Sequence, residues 1–247
     1  MPAISYQLYN SRKWPLDEVM TMLVEVGFTE VEGYGALFQN PSSLITALDA
    51  TNLRMTTGHF GLEPLESDPS AAIKLAKRLG IEAIFVPHLD VHNRPLDVAG
   101  WEAFATRLVE AGKPIQDAGL AYGWHNHAFE LAELSVGLTP LDVIANSSPD
   151  MKLELDLGWV IRAGTDPAEA IQKYSGQIIS AHIKDLAPAG ENLDEDGWAD
   201  VGHGIVNWAP LHSALQNAGV DRYIIEHDNP NDHRRFATQS FKFVSKF

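Results

Sequence analysis

The feature that most constrains the fold is an alternation: a short apolar run followed by a longer stretch with helical spacing, repeated eight times in 247 residues. The runs are Ala3 to Leu8, Glu30 to Tyr34, Arg54 to His59, Glu82 to Pro87, Leu120 to His125, Lys152 to Asp156, Ile178 to Ile183 and Tyr223 to Glu226. The first helical pattern starts at Pro15 and places Leu16, Val19, Met20, Leu23 and Val24 on one face. Others open at Pro41, near Pro140 and at Pro167, or cover Ala71 to Leu79, Trp101 to Asp117, Trp208 to Ala218 and His233 to Phe247. Gly27, Gly80, Gly119 and Gly219 stand where helices should stop. Strand–helix alternation implies parallel strands joined by crossover helices. Eight units in this length fit a closed (β/α)₈ TIM barrel better than an open doubly wound sheet, since such barrels take about 250 residues. One domain over residues 1–247 is expected, because no linker or low-complexity segment interrupts the pattern.

Composition narrows the chemistry. With 18 basic and 33 acidic residues the net charge is −15, which repels a phosphate backbone and argues against nucleic acid as a partner. There are no cysteines, so disulfides and thiolate metal sites are excluded, and any metal must sit on His, Asp or Glu. No apolar run approaches the ~20 residues of a membrane span, and no secretory signal stands at the N-terminus. A cytoplasmic protein with no membrane partner is the expectation.

Catalytic groups of a barrel of this kind sit at the C-terminal ends of its strands. Here those ends carry His59, His88, His125, Asp156, His182 and Glu226 on strands three to eight. A lone histidine at a strand end is usually structural, and Asp156 alone could cap a helix. Four consecutive strands offering His125, Asp156, His182 and Glu226 are a different matter, because a barrel converges them. Two imidazoles and two carboxylates suit one divalent metal ion such as Mn²⁺, Co²⁺ or Mg²⁺, and Zn²⁺ is compatible.

Five segments carry a resemblance: Trp124-His125-Asn126-His127-Ala128-Phe129-Glu130, Glu154-Leu155-Asp156-Leu157-Gly158-Trp159-Val160, Ala181-His182-Ile183-Lys184-Asp185, Val201-Gly202-His203-Gly204 and Ile225-Glu226-His227-Asp228. Together they resemble the sugar phosphate isomerase/epimerase group of xylose isomerase-like TIM barrels, over essentially the whole chain. The resemblance implies a sugar substrate, one divalent metal held by Glu, Asp, His and Glu on strands five to eight, and an assembly of identical subunits, since relatives are often homo-oligomers. Carried over by position, the last three ligands are Asp156, His182 and Glu226. The chain departs from the pattern on strand five, where His125 replaces Glu, with Glu130 or His127 as alternative ligands. It also has Trp159 where the epimerases carry His.

The chemistry that the resemblance implies is removal of a proton beside a carbonyl, giving an enediolate. Glu226 matches one of the two acid–base groups. His127 or Glu130 is the candidate for the other, and Lys184 can neutralise a developing oxyanion or hold a phosphate or carboxylate. Tyr6, His59, His88, Trp159 and His203 are candidates to line the substrate pocket, with Tyr9, Glu32 and Tyr34 closing its far side. The run Ala187 to Gly204 has the length and composition of an active-site loop. A lyase on the same metal is the nearest rival. An endonuclease-like DNA repair enzyme is opposed by the charge, and a metal-free sugar-binding protein is a third reading.

Overall fold

Eight parallel strands close into a barrel in the computed structural model of the protein, which describes residues 2–134 and 137–247. The first seven barrel strands are β1 (Ala3–Gln7), β2 (Glu30–Tyr34), β3 (Arg54–His59), β4 (Ala83–Val86), β5 (Ala121–His125), β6 (Lys152–Asp156) and β7 (Ile178–Ile183). A two-stranded antiparallel ribbon of β8 (Asp185–Leu186) and β9 (Trp198–Ala199) follows, and β10 (Arg222–Ile225) pairs with both β7 and β1 to complete the ring. The expected (β/α)₈ architecture is therefore present.

Four of the eight barrel strands have the expected boundaries, and the other four differ by one residue at one or both ends. Gly27, Gly80, Gly119 and Gly219 all adopt positive φ, the left-handed conformation that ends a helix without a Cβ penalty. Three α-helices were not anticipated, one of them the short Gly35–Phe38 after β2. Leu62–Ser67 precedes the helix Pro69–Leu79, and Leu157–Arg162 precedes Pro167–Lys173. The last of these follows directly from the site: the Asp156 carboxylate accepts the backbone N–H of Trp159 at 2.9 Å and so caps a new helix where β6 ends.

Strand alternation divides each strand between two environments. One set of side chains, including Tyr6, Val31, Met55, Ile84, Tyr122, Trp124, Leu153, Leu155, Ile183 and Ile225, joins the buried apolar cluster shared with the helices. Full burial of such a side chain contributes about 1.5–3 kcal/mol, so this shell is the main source of stability. The other set does not have the branched aliphatic filling usual for such barrels. It includes the buried polar residues Ser5, Gln7, Glu32, Thr57, His59, Glu154, Ser180 and His182.

Register shifts accompany this polar interior. Between β2 and β3 the pairing passes from Val31 with Met55 to Glu32 with Thr57, skipping Thr56. Between β6 and β7 it passes from Leu153 with Ile178 to Glu154 with Ser180, skipping Ile179. Bulges re-aim side chains next to functional sites, and here each shift falls at a buried glutamate.

Candidate active site

The site has two layers, and His182 belongs to both. In the rim layer, His125 and Asp156 end β5 and β6, His182 lies one residue before the end of β7, and Glu226 follows β10. One ligand atom from each of these four lies within 4.8 Å of the others, and all four residues are buried. His182 Nδ1 is 2.9 Å from Glu226 Oε2 and 4.0 Å from Asp156 Oδ2.

Lys184 enters the same layer from beyond the end of β7. It is completely buried, with Nζ 2.7 Å from Asp228, 3.0 Å from Glu226 and 3.6 Å from Asp156. Gly158 makes this approach feasible: a Cβ there would come within 2.8 Å of the Lys184 Cβ and carbonyl oxygen. The ammonium also faces the rings of Trp159 and Trp198 at 4.9 and 4.4 Å. Burial disfavours its charge, but Asp228, Glu226 and Asp156 outweigh that and hold it firmly protonated.

Beneath the rim, Glu32, His59, Glu154 and His182 form an inner layer. His182 Nε2 lies 2.8 Å from Glu32 Oε1 and 3.0 Å from Glu154 Oε2. His59 Nε2 lies 2.5 Å from Glu154 Oε2 and 3.2 Å from Glu32 Oε1. Gln7 donates to Glu32 at 2.7 Å, and the Ser180 hydroxyl donates to Glu154 at 2.9 Å. Glu154 Oε2 is also 3.3 Å from His125 Nδ1. His59, His125, Glu154 and His182 form a second group with metal-ligand spacing. Glu154 therefore sits behind both rim histidines, as carboxylates do behind metal-bound imidazoles.

Electrostatics separate the two histidines of the rim. Burial opposes charge on His182, but Glu154, Glu226 and Glu32 overcome it and raise its pKa well above the usual value. Burial and the neighbouring His182 push His125 down to about 3, so its ring is neutral. Burial and the Glu226 charge push Asp156 up to about 7, against the pull of Lys184 and His182. Glu226 is buried too, yet Lys184 and His182 keep it ionised.

The donor set fits a divalent cation. Asp156 Oδ1 is used in the helix cap, while Oδ2, which faces the other rim ligands, has no hydrogen-bond partner. His125 Nδ1 makes no well-aligned hydrogen bond, and its nearest acceptor is the Glu154 carboxylate at 3.3 Å. Unsatisfied buried atoms of this kind are costly unless something binds them. The four nitrogen and oxygen donors, on a neutral His125, the carboxyl groups of Asp156 and Glu226 and a His182 that must first lose a proton, could hold one metal ion. Both ring nitrogens of His182 face carboxylates, so metal binding at Nδ1 would displace a proton.

A cavity of about 420 Å³ opens over the rim. Its walls include Tyr9, Tyr34, His59, His88, His125, His127, Glu226 and Asp228. His127 packs between His88 and His125, with ring centroids 5.1 and 5.2 Å away, and against Trp159 at 5.2 Å. Burial, His125 and Lys184 hold the His127 pKa well below the usual value. Burial and Arg94 lower that of His88.

Trp159, expected in the pocket wall, packs behind it against His127 and Lys184, and three further expected site residues lie elsewhere. Tyr6 points outward from β1: its ring packs on Phe28 and Phe236, and its hydroxyl meets Ser11 at 2.9 Å. Its strand neighbour Gln7 faces the interior instead. Glu130 is turned behind β5, where Oε1 accepts the Trp124 indole N–H at 2.9 Å and Oε2 accepts the His127 backbone N–H at 2.8 Å. It fixes the His127 loop and does not reach the rim. His203 is exposed on the loop after β9, outside the cavity wall. That loop is pinned by Arg235, which binds Glu195 and Asp200.

Glu154 and Gln7 went unremarked as site residues, and Glu32, expected on the far side of the pocket, lies under the rim. A signal existed: Glu154 is two residues before Asp156, so period-two alternation puts both on one face. Asn126 was also missed, and it brackets Asp156 by accepting its N–H at 2.9 Å and donating to its carbonyl at 3.3 Å.

Comparison with known proteins agrees with the barrel fold. A family model described as a xylose isomerase-like TIM barrel matches residues 22–246. Inosose dehydratase of Lacticaseibacillus casei is 26% identical over 140 residues, covering 51% of this chain and 46% of the relative. The match thus spans about half of each protein. Among solved structures, a sugar phosphate isomerase/epimerase of Parabacteroides distasonis superposes with a TM-score of 0.82 at 17% identity, covering 98% of this chain and 93% of the other. The probable 3-DHS dehydratase of Bacillus anthracis superposes with a TM-score of 0.78 at 14% identity, covering 98% of each chain. At such identities the structural likeness shows the fold alone. No helix among the described residues is long and apolar enough to cross a membrane.

Proposed function

The chain belongs to the xylose isomerase-like TIM barrel family, and on that premise we propose that it is a divalent-metal-dependent isomerase or epimerase of a sugar or related keto compound. The observation that carries the reading is the rim quartet of His125, Asp156, His182 and Glu226, of which His125 and Glu226 face a cavity of substrate size. A divalent cation held by these four would draw negative charge onto a substrate carbonyl oxygen and so acidify the neighbouring C–H bond.

The chain's own groups divide the remaining work. Glu226 is the base for the C–H proton: Lys184 and His182 hold it ionised through Oε2, and Oε1 makes no hydrogen bond to a described residue. Lys184 balances charge developing toward the enediolate oxygen. His127 stands in the cavity wall as the second proton-transfer group, with Nδ1 unpartnered and the ring neutral. Glu130 positions it through the backbone. His59 and His88 are placed to meet substrate hydroxyls from the cavity wall.

A second reading, a dehydratase or other lyase, is favoured by one observation. With Glu130 turned away, the partner of Glu226 is an imidazole of depressed pKa, which is a poor proton donor. A site with one ionised carboxylate base and no protonated partner opposite it suits elimination, in which Glu226 takes the C–H proton and returns it to the departing hydroxyl as water leaves, better than return of a proton to the opposite face.

The test is to load the protein with Mn²⁺ or Co²⁺, incubate it with ketoses and keto-inositols in D₂O, and follow C–H to C–D exchange and product by NMR. A stereoisomer or positional isomer is expected. Loss of water would establish the lyase reading. Absence of exchange and of product across the panel, with no metal bound, would sink both.

A further inference from the structure

The charge of the substrate is a separate matter from the reaction, and the cavity constrains it. No lysine or arginine is among the cavity-lining residues, whereas Glu226 and Asp228 both are. The neighbouring cations are already engaged. Lys184 is fully buried against Asp228, Glu226 and Asp156. Arg12 donates to the carbonyl oxygens of Tyr9 and Asp228 and lies 4.0 Å over the Tyr9 ring. Arg94 donates to the Leu89 carbonyl and covers Phe129 at 3.5 Å.

Recognition of a phosphate calls for convergent cationic donors or a free helix N-terminus. The helix that begins at Leu157 is capped by Asp156, and the uncapped helices that begin at Gly35 and Leu62 beside the cavity run for only four and six residues, too short to build an anion site. Adding a divalent cation does not make the site cationic, because that ion and Lys184 together only balance the charges of Asp156, Glu226 and Asp228. The net charge of −15 adds a repulsive field for any anion approaching from solution. In place of cations, the cavity presents aromatic surface. Tyr9 and Tyr34 meet edge to face at 5.3 Å on one wall, an arrangement suited to the apolar face of a ring.

We infer that the site takes an uncharged polyhydroxylated ring, a free sugar or a cyclic keto-polyol, and discriminates against phosphorylated sugars. This rests on the proposed reaction for the location of the substrate. It does not depend on which product forms.

The experiment measures binding and turnover separately on the full chain with saturating Mn²⁺. Isothermal titration compares D-fructose with D-fructose 6-phosphate and D-tagatose with D-tagatose 6-phosphate, with a keto-inositol as the cyclic polyol. Each neutral sugar is expected to bind at least about ten-fold more tightly than its phosphate, because an unpaired anion beside Glu226 and Asp228 is strongly disfavoured. Asp228→Asn removes one carboxylate and part of the Lys184 screen, so it should narrow the gap several-fold. Equal or tighter binding of the phosphates overturns the inference, and so does failure of every neutral ligand to bind. Exchange of C–H for C–D on a phosphorylated sugar alone would leave the proposed reaction standing and remove the substrate class. Discrimination without exchange on any ligand would do the reverse.

Discussion

The rim and the layer beneath it share His182 but satisfy their polar atoms differently. In the inner layer, Glu154 is met by Ser180, His59 and His182, and Glu32 by Gln7, His182 and His59. Most polar atoms there are answered within the protein, with Glu32 Oε2 the exception. In the rim, Asp156 Oδ2 has no hydrogen-bond partner, His125 Nδ1 has only the Glu154 carboxylate at 3.3 Å, and Asp156 is pushed up to about 7 by burial. The difference teaches a division of labour: the inner layer is largely closed upon itself and orients, while the rim is left open toward a ligand.

The sharpest way to break that division is to remove a rim carboxylate. Asp156→Ala or Glu226→Ala should lower metal affinity by more than about 100-fold and abolish turnover, since loss of a direct ligand exceeds the effect of its supporting groups. Metal analysis of the purified variants checks this, and retention of a full equivalent of metal would contradict it.

Glu154→Gln tests the inner layer. If Glu154 orients His125 and His182, chelator competition should show metal affinity reduced by about 10–100-fold, with activity recovered at saturating metal. An unchanged affinity would mean that the inner layer only fills space.

A third prediction concerns Glu130, which the structure moves from the catalytic set to the support of His127. Burial raises its pKa to about 8, against the N–H groups of His127 and Trp124 that pull it down. The unfolded chain loses this proton near the ordinary value of 4.5, and the folded chain keeps it to about 8. The folded state therefore binds more protons in between, and stability falls as pH rises through that window, by up to ~1.4 kcal/mol per unit. Urea titrations from acid to mildly alkaline pH should show a shallower decline in Glu130→Gln than in the wild type. Parallel curves would reject the assignment.

The smallest expected effect is that of Tyr6→Phe. It removes one hydrogen bond to Ser11, worth about 1 kcal/mol, and touches neither layer. The melting temperature should drop slightly with kcat unchanged, whereas a large loss of turnover would return Tyr6 to the pocket.

How much of this was legible in the sequence varies by layer. The barrel was readable because hydrophobic periodicity and helix-stop glycines such as Gly80 and Gly219 are local signals. The rim was readable because strand ends are marked by the switch from apolar to polar residues. The inner layer was not, because Glu154 lies inside an apolar run between Leu153 and Leu155, where a charged residue ordinarily signals an exposed face. Its partners His59 and His182 come from strands far apart in the chain, joined only by barrel closure. Tyr6 was misplaced for a related reason: the facing of β1 depends on register, and one residue exchanges Tyr6 for Gln7. Glu130 was uncertain because the loop after β5 folds back in a short 3₁₀ turn, Phe129–Leu131, that spacing alone does not reveal.

The most direct measurement is anomalous diffraction from a crystal of the protein soaked in Mn²⁺. One strong peak is expected about 2.2 Å from a donor atom of each of His125, Asp156, His182 and Glu226. A well-ordered crystal with no peak at the rim, or with its only peak away from these four side chains, would contradict the metal centre and the chemistry built on it.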